Sequence, residues 1–259
     1  MRSTRRFLDT LYRHYNRREF IHPDPLELVY RYDSAADREI AAFVAASLAY
    51  GRVHQILKSV SSVLDVMVPG PSTFLTNHTR RSIFHTFSGF RHRVTDGRKL
   101  SAMLCGVKEM LGTYGSLQAC FCAKMGENGE TILEPMSAFV SELVRCAGAP
   151  LDHLVPSPEK GSACKRLNLF LRWMVRCDDV DPGGWTKISP SKLLVPVDIH
   201  MHRIALSMHL THRRQADLKT VVEITEGFRA IHASDPVRYD FCLTRLGIRE
   251  DGGGGFLPP

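Results

Sequence analysis

Two residues in this chain stand where a carboxylate and an amine could do chemistry. In the stretch Val195-Pro196-Val197-Asp198-Ile199-His200-Met201-His202-Arg203-Ile204, Pro196 disfavours helix before it and Asp198 is a good N-cap residue. Met201, Ile204, Ala205 and Met208 then recur at helical spacing, which predicts a short amphipathic helix over 199–210. Asp198 therefore sits at the positive end of a helix dipole. Its ionised form is stabilised there, as a fixed negative charge able to face a cation. A plain capping role satisfies the same spacing. Lys165 falls in the first turn of another predicted helix, opened by Gly161-Ser162, whose core stripe is Ala163, Leu167, Phe170 and Met174. Lys165, Arg172 and Arg176 are expected to lie away from that stripe. A cation in a first helical turn opposes the dipole, so its protonated form is disfavoured, as a lysine nucleophile requires. A surface lysine tolerated at a poor place is the plainer alternative.

Asp198, His200 and His202 form a D-x-H-x-H string that invites a metal. In a helix, positions two apart point to different faces, so the three do not converge on one ion. His200 is expected to make local hydrogen bonds across the helix end, and Arg203 to meet a phosphate or a carboxylate. The seven cysteines are scattered and form no C-x-x-C pair, so neither a zinc ribbon nor a ferredoxin-like cluster is expected, and Cys120-x-Cys122 is assigned to packing. The segment Phe87-Ser88-Gly89-Phe90-Arg91-His92-Arg93 interleaves aromatic and basic residues. It suits stacking on bases and gripping phosphates, or equally a solvated loop with one buried ring.

The elements that must position these residues are helical. Helices are predicted over 4–19, from Ser34 through a run from Ile40 to Leu48 that is apolar nearly all round, and along the stripe Ile56, Val60, Val63 and Met67. Further helices are predicted at 97–112, 115–124, 131–147 and 218–231, with a last one starting at Asp235-Pro236 and stopped by Gly247. No strand-like alternation persists, so the class is all-α. The irregular stretch from Asp178 to Leu194 reads as an insertion or lid, and residues 250–259 as a disordered tail. A chain of 259 residues with 44% hydrophobic content can bury a full core. Its net charge of +7 permits an anionic partner such as nucleic acid without demanding one. No apolar run is long enough for a membrane span and no signal-peptide core follows Met1, so a cytoplasmic protein is expected.

Val197-Asp198-Ile199-His200-Met201-His202-Arg203-Ile204 resembles the V-D-x-H-x-x-R-[VI] signature of the helix-hairpin-helix (HhH-GPD) DNA glycosylases, the superfamily of endonuclease III and adenine-mismatch glycosylase. The longer string Val195 to Met201 is similar to V-P-V-D-V-H-M in the 8-oxoguanine glycosylase branch. Gly89-Phe90-Arg91-His92-Arg93-Val94 is similar to that branch's G-Y-R-A-R-Y. The helix ending Ser47-Leu48-Ala49-Tyr50 stands where the family supplies a residue that plugs the vacated base stack. Lys165 stands in for the lysine that opens the helix after the family's hairpin. The run Cys164-Lys165-Arg166-Leu167-Asn168 to Arg176 also resembles a bacterial family of conserved hypothetical proteins. There are departures. The family hairpin reads L-P-G-V-G-x-K, whereas here a single Gly161 precedes Lys165 by four residues. Lys165 and Asp198 are 33 residues apart, more than in the relatives, with the excess in 178–194. The iron-sulfur cysteines of the endonuclease III branch are absent.

The resemblance implies a two-lobed helical fold with a cleft between lobes, one lobe from about 35–160 and the other from 1–34 plus 161–248. It implies a DNA glycosylase and abasic-site lyase that excises an oxidised purine of the 8-oxoguanine type. Lys165 would be the nucleophile and Asp198 its assistant. Tyr50, Gly51, Arg52, Phe90, Arg91, Gly161, Ser162, His200 and Arg203 would contact double-stranded DNA containing the damaged base. It implies a monomer, associated with the nucleoid and not with a membrane, that needs no metal or organic cofactor. The alternatives are a non-catalytic DNA-structure-binding protein on the same fold and, more remotely, a metal-dependent nuclease using Asp198 and His200.

Overall fold

The computed structural model describes residues 2–125 and 131–249, and these are mostly α-helical, as the lack of sustained alternation predicts. The chain divides into two compact units. Met1–His22, Glu130–Ile132 and Pro158–Pro259 form the first; Pro23–Gly129 and Leu133–Ser157 form the second. The expected tail 250–259 lies outside the described residues.

The first unit opens with α1 (Arg2–Tyr15), and the chain then enters the second with α2 (Leu26–Val29) and α3 (Ala35–Ser47). Residues 23–34 therefore join the second unit instead of the first, because α2 buries Leu26, Leu28 and Val29 and packs on α3. Every residue of α3 from Ile40 to Ser47 is buried, as its all-round apolar run predicts. Ser34 Oγ accepts from the Asp37 N–H at 3.4 Å, completing half of the expected capping box. The Asp37 carboxylate turns outward to accept from Ser72 N at 2.8 Å. That bond secures the start of α5 (Pro71–Asn77), which follows α4 (Val53–Leu64). After α6 (Arg80–Thr86) comes a two-residue-per-strand antiparallel hairpin not foreseen from the pattern, β1 (Arg91–His92) and β2 (Thr95–Asp96). The unit closes with α7 (Gly97–Tyr114), α8 (Leu117–Cys122) and α9 (Leu133–Ala147), with α7 packed along α9. The buried Glu39 of α3 accepts from Leu117 N and Gln118 N at 2.8 and 2.9 Å, satisfying the first donors of α8.

The chain returns to the first unit with α10 (Lys165–Val175), α11 (Ile199–Ser207), α12 (Leu218–Ile231) and α13 (Asp240–Arg249). Three boundaries differ from the pattern. Gly161 and Cys164 take left-handed backbone, φ 71° and 46°, which delays α10 until Lys165. His209, φ 56°, stops α11 at Ser207 instead of 210. Turns over 236–239 postpone α13 to Asp240, and the helix runs past Gly247 to Arg249. α1 packs on α13, where Tyr239 meets Tyr12 edge-on and donates to Asp9 at 2.7 Å.

The stretch 178–194 is a buttress and not a lid. Gly183 N and Trp185 N donate to the Trp173 and Met174 carbonyls at 3.0 and 2.7 Å, meeting the acceptors left open at the end of α10. Trp185, only 2% exposed, packs edge-on against Phe170. Arg172 and Arg176, expected only to lie away from the apolar stripe, are likewise 3% and 4% exposed. Their burial is compensated by Asp181, which pairs with both guanidinium groups, and by Asp178 and Asp235 at 2.7 and 2.9 Å from Arg176.

Candidate active site

The extended run Leu193 to Val197 is buried, and Val195 N donates to the Thr225 hydroxyl of α12 at 3.1 Å. This holds the chain in place just before Asp198, which caps α11 by accepting from His200 N and Met201 N, both at 2.9 Å. Both N–H bonds fall on Oδ1. The other oxygen, Oδ2, lies 3.3 Å from Lys165 Nζ. Residues 33 apart in sequence thus meet at the N-termini of two helices, and the two side chains keep 33% and 28% of their surface exposed. The pair is reachable by a reactant but only partly screened by water.

Burial of the Asp198 carboxyl opposes its ionisation. The Lys165 charge and the Met201 N–H outweigh this and hold it below the usual carboxylate range. The thiol of Cys164, the residue before Lys165, is buried, and that burial pushes it up to about 11, which leaves it protonated and unreactive at neutral pH. Asp240, the first residue of α13, is also buried. Its Oδ2 pairs with Arg172, while Oδ1 is a buried acceptor with no hydrogen-bond partner. Burial raises this carboxyl to about 6 against the pull of Arg172, and the Asp198 charge adds to the rise. The polar residues Lys165, Asn168, Arg172 and Arg176 recur along α10 at helical spacing, so the ion pair is the accessible end of a buried polar stripe.

Gly161, Ser162, His200 and Arg203 lie in the same unit as the pair. Gly161 and Ser162 form a turn pinned to the start of α12: Leu218 N donates to Gly161 O at 3.0 Å and Ser162 bridges Asp217. The His200 and Arg203 side chains are exposed. The expected bonding across the helix end involves the His200 backbone N–H, whereas the His202 ring is the one tied down, to Arg213 O at 2.9 Å. Ile199, beside Asp198, is an apolar side chain 67% exposed.

Tyr50, Gly51, Arg52, Phe90 and Arg91 belong to the second unit, where the 50–52 loop and the β1–β2 hairpin share one surface. Tyr50 Oη bonds Thr95 Oγ1 at 2.6 Å and donates to His92 O at 3.0 Å, so its ring is fixed on the hairpin instead of free to plug a base stack. His92 is fully buried, with its ring nitrogens 2.9 Å from Ser59 Oγ and 3.0 Å from Tyr50 O. Gly51 has φ 104°, and a Cβ there would come within 2.8 Å of the Arg93 side chain lying over it. The hairpin tip presents Arg93, the last residue of the aromatic-basic segment, and a 71% exposed Val94, which lies just outside that segment. Phe87 is the buried ring of the segment and Phe90 is half-buried. A cavity of about 330 Å³ in this unit is lined by Glu39 and Lys108 among others. Both charged groups are spent on backbone, Lys108 on the Leu75 and Thr76 carbonyls at 2.7 and 2.9 Å, which makes the cavity a poor rival to the ion pair.

Among the described residues, no three His, Cys, Asp or Glu side chains are grouped so as to hold a metal ion, and no helix is long and apolar enough to cross a membrane. A family model described as a protein of unknown function (DUF2400) matches residues 24–249, a span that includes Lys165, Asp198 and the hairpin. Neither the curated proteins nor the solved structures contain a match to the chain.

Proposed function

We propose that this chain, which belongs to the DUF2400 family, is a DNA glycosylase with abasic-site lyase activity that acts on a damaged, oxidised purine. The observation that carries the proposal is the 3.3 Å contact between Lys165 Nζ and Asp198 Oδ2 at two helix N-termini. It sits within a motif that resembles the glycosylase signature, and the two units are read as the lobes of that fold. The substrate is double-stranded DNA with the target base flipped out of the stack, since the glycosidic bond is not reachable within it.

Attack by Lys165 requires its unprotonated amine, whose proton is given up to solvent so that the Asp198 carboxylate 3.3 Å away keeps its charge. The amine nitrogen bonds to C1′ as the bond from C1′ to the base breaks. The base leaves with that electron pair and takes up a proton. Opening of the bond between C1′ and the ring oxygen then gives a Schiff base on Lys165 and a hydroxyl at C4′. Loss of a C2′ proton expels the 3′ phosphate and nicks the strand. Through the first step Asp198, held ionised by its two backbone N–H bonds, faces the positive charge that develops on the sugar. Gly161, Ser162, His200 and Arg203 serve as backbone contacts beside the pair, and Arg52, Phe90, Arg91 and Arg93 as the DNA-facing group of the second unit.

Borohydride trapping tests the proposal. The protein is incubated with a duplex containing 8-oxoguanine or an abasic site, and any Schiff base is reduced to a stable adduct. An adduct with the wild type that disappears in Lys165→Ala is the expected result. Tight binding without an adduct would favour a non-catalytic DNA-binding protein, and cleavage abolished by a chelator would favour a metal-dependent nuclease.

A further inference from the structure

The segment from His209 to Lys219, which comprises the connection from α11 and the first two residues of α12, has no part in the chemistry above, yet it is firmly built. The His202 ring fixes it to α11 through Arg213 O at 2.9 Å. Thr211 Oγ1 donates to Glu223 at 2.6 Å, and Arg213 donates to the Thr220 hydroxyl at 3.0 Å and to the Asp217 carboxylate. Thr220 in turn donates to Gln215 O. These bonds consume the acidic groups of the segment. Asp217 faces Arg213 and its own helix cap, and Glu223 faces Thr211. The exposed residues of the segment are His209, His212, Arg214, Gln215, Ala216 and Lys219, all cationic or neutral; Glu223, one helical turn beyond Lys219, is exposed as well, with its carboxylate bonded to Thr211.

The position of this surface follows from the chain. Asp217 bridges Ser162, and Ser162 precedes Lys165 by three residues, which span at most about 11 Å. At the other end, α11, capped by Asp198, includes the exposed Arg203 and leads into the segment. The basic surface therefore borders the ion pair within one unit. The turn before Lys165 has a single glycine, Gly161, whose N–H is already spent on Pro158 O at 2.8 Å, and Cys164 N–H is spent on Ser162 Oγ at 3.2 Å, so backbone donors there have a limited share in holding a strand.

We propose that the segment His209–Lys219 is a phosphate-backbone clamp for duplex DNA, with Arg214 and Lys219 as its phosphate contacts. It rests on the reading of Lys165 and Asp198 as a DNA-processing pair, and supplies the anchoring of the strand that enters that pair. The rigid mounting suits the role: a loop already ordered by side-chain bonds loses little further freedom when it meets phosphate. Arg213 is not counted among the contacts, because its guanidinium is held by Asp217 and Thr220. Contacts of this kind position a duplex without reading its sequence, so they weaken with salt and are indifferent to the base being excised.

The test is the salt dependence of binding to a labelled duplex carrying a tetrahydrofuran abasic analogue, followed by fluorescence anisotropy from low to moderate KCl. The full-length protein is compared with the double variant Arg214→Glu, Lys219→Glu, with Arg214→Ala alone should the double variant fail to fold, and with Arg145→Ala as a charge-loss control in the second unit. Loss of two phosphate contacts is expected to lower the slope of log Kd against log salt by about 2, and loss of one by about 1, with at least a tenfold weaker affinity for the double variant. Arg145→Ala is expected to leave slope and affinity unchanged. A slope equal to that of the wild type, an equal loss in Arg145→Ala, or a wild type without salt-dependent binding overturns the clamp. Repeating the series in the Lys165→Ala background separates it from the catalytic proposal: a reduced slope there supports the clamp even where the wild type gives no adduct on an abasic-site duplex, and a wild-type adduct together with an unchanged slope overturns the clamp alone.

Discussion

Asp198 does two things with two oxygens, and they can be separated by substitution. Oδ1 caps α11 and Oδ2 faces Lys165. Asparagine is also a good N-cap, so Asp198→Asn should leave the melting temperature near that of the wild type, whereas Asp198→Ala should cost about 1 kcal/mol of stability. On the proposed function, base excision should fall by about 100-fold or more in both, because the charge proposed to face the reacting sugar is gone in each. Single-turnover kinetics and thermal melts of the two variants check this, and an Asp198→Asn protein with wild-type excision would reduce the residue to a cap. The carboxyls also give a pH signature. Asp198 ionises more easily in the folded protein, so its contribution is present above its unfolded value of about 4 and is lost as pH falls through its lower folded value. Asp240 works in the opposite sense. With a folded value of about 6, it keeps a proton that the unfolded chain has released, so its contribution is full below about pH 4 and disappears as pH rises toward 6. Denaturant titrations across that window should show this decline in the wild type and lose it in Asp240→Asn. The Asp198 motif was legible because its cap, its proline and its apolar stripe are neighbours in sequence. Its distance to Lys165 was not, because 33 intervening residues set no distance.

At the scale of elements, α10 connects the accessible ion pair to a buried charge network. Arg172 and Arg176 could not be recognised as buried from their pattern, since two arginines off an apolar stripe look like a solvated face. Their partners Asp178, Asp181 and Asp235 come from the irregular stretch and from the turn before α13, which carry no periodicity. Asp181 is fully buried between both guanidinium groups. Asp181→Ala should therefore destabilise the protein by about 3–5 kcal/mol, since it removes the one carboxylate shared by two buried guanidinium groups and leaves their charge only partly compensated. Trp185→Ala, which opens a cavity against Phe170, should cost about 3–5 kcal/mol. If 178–194 were a detachable lid instead, both variants would unfold at wild-type denaturant concentrations. The helix content itself was readable, α12 to the residue, because a polar cap and a stripe of apolar residues mark both its ends and its face. The late starts of α10 and α13 were not. They depend on left-handed residues such as Cys164 and on turns whose cause lies in packing.

At the scale of the whole molecule, a net charge of +7 says only that an anionic partner is tolerated, and the function has to be decided by where the charges and the nucleophile sit. The first unit holds the amine, the carboxylate and a basic segment anchored beside them; the second holds a rigid hairpin with Arg91, Arg93 and an exposed Val94. Removal of Arg91 and Arg93 together should weaken DNA binding and its salt dependence while leaving adduct chemistry on Lys165 possible at higher protein concentration, as gel-shift and trapping assays run in parallel would show. The central claim is that Lys165 is the nucleophile, and its most direct test is to locate the covalent bond. After borohydride reduction on an abasic-site duplex and nuclease trimming, peptide mapping by tandem mass spectrometry should place the sugar remnant on Lys165. A remnant on Lys160 or another lysine, or no remnant on a protein that binds the duplex tightly, would contradict it.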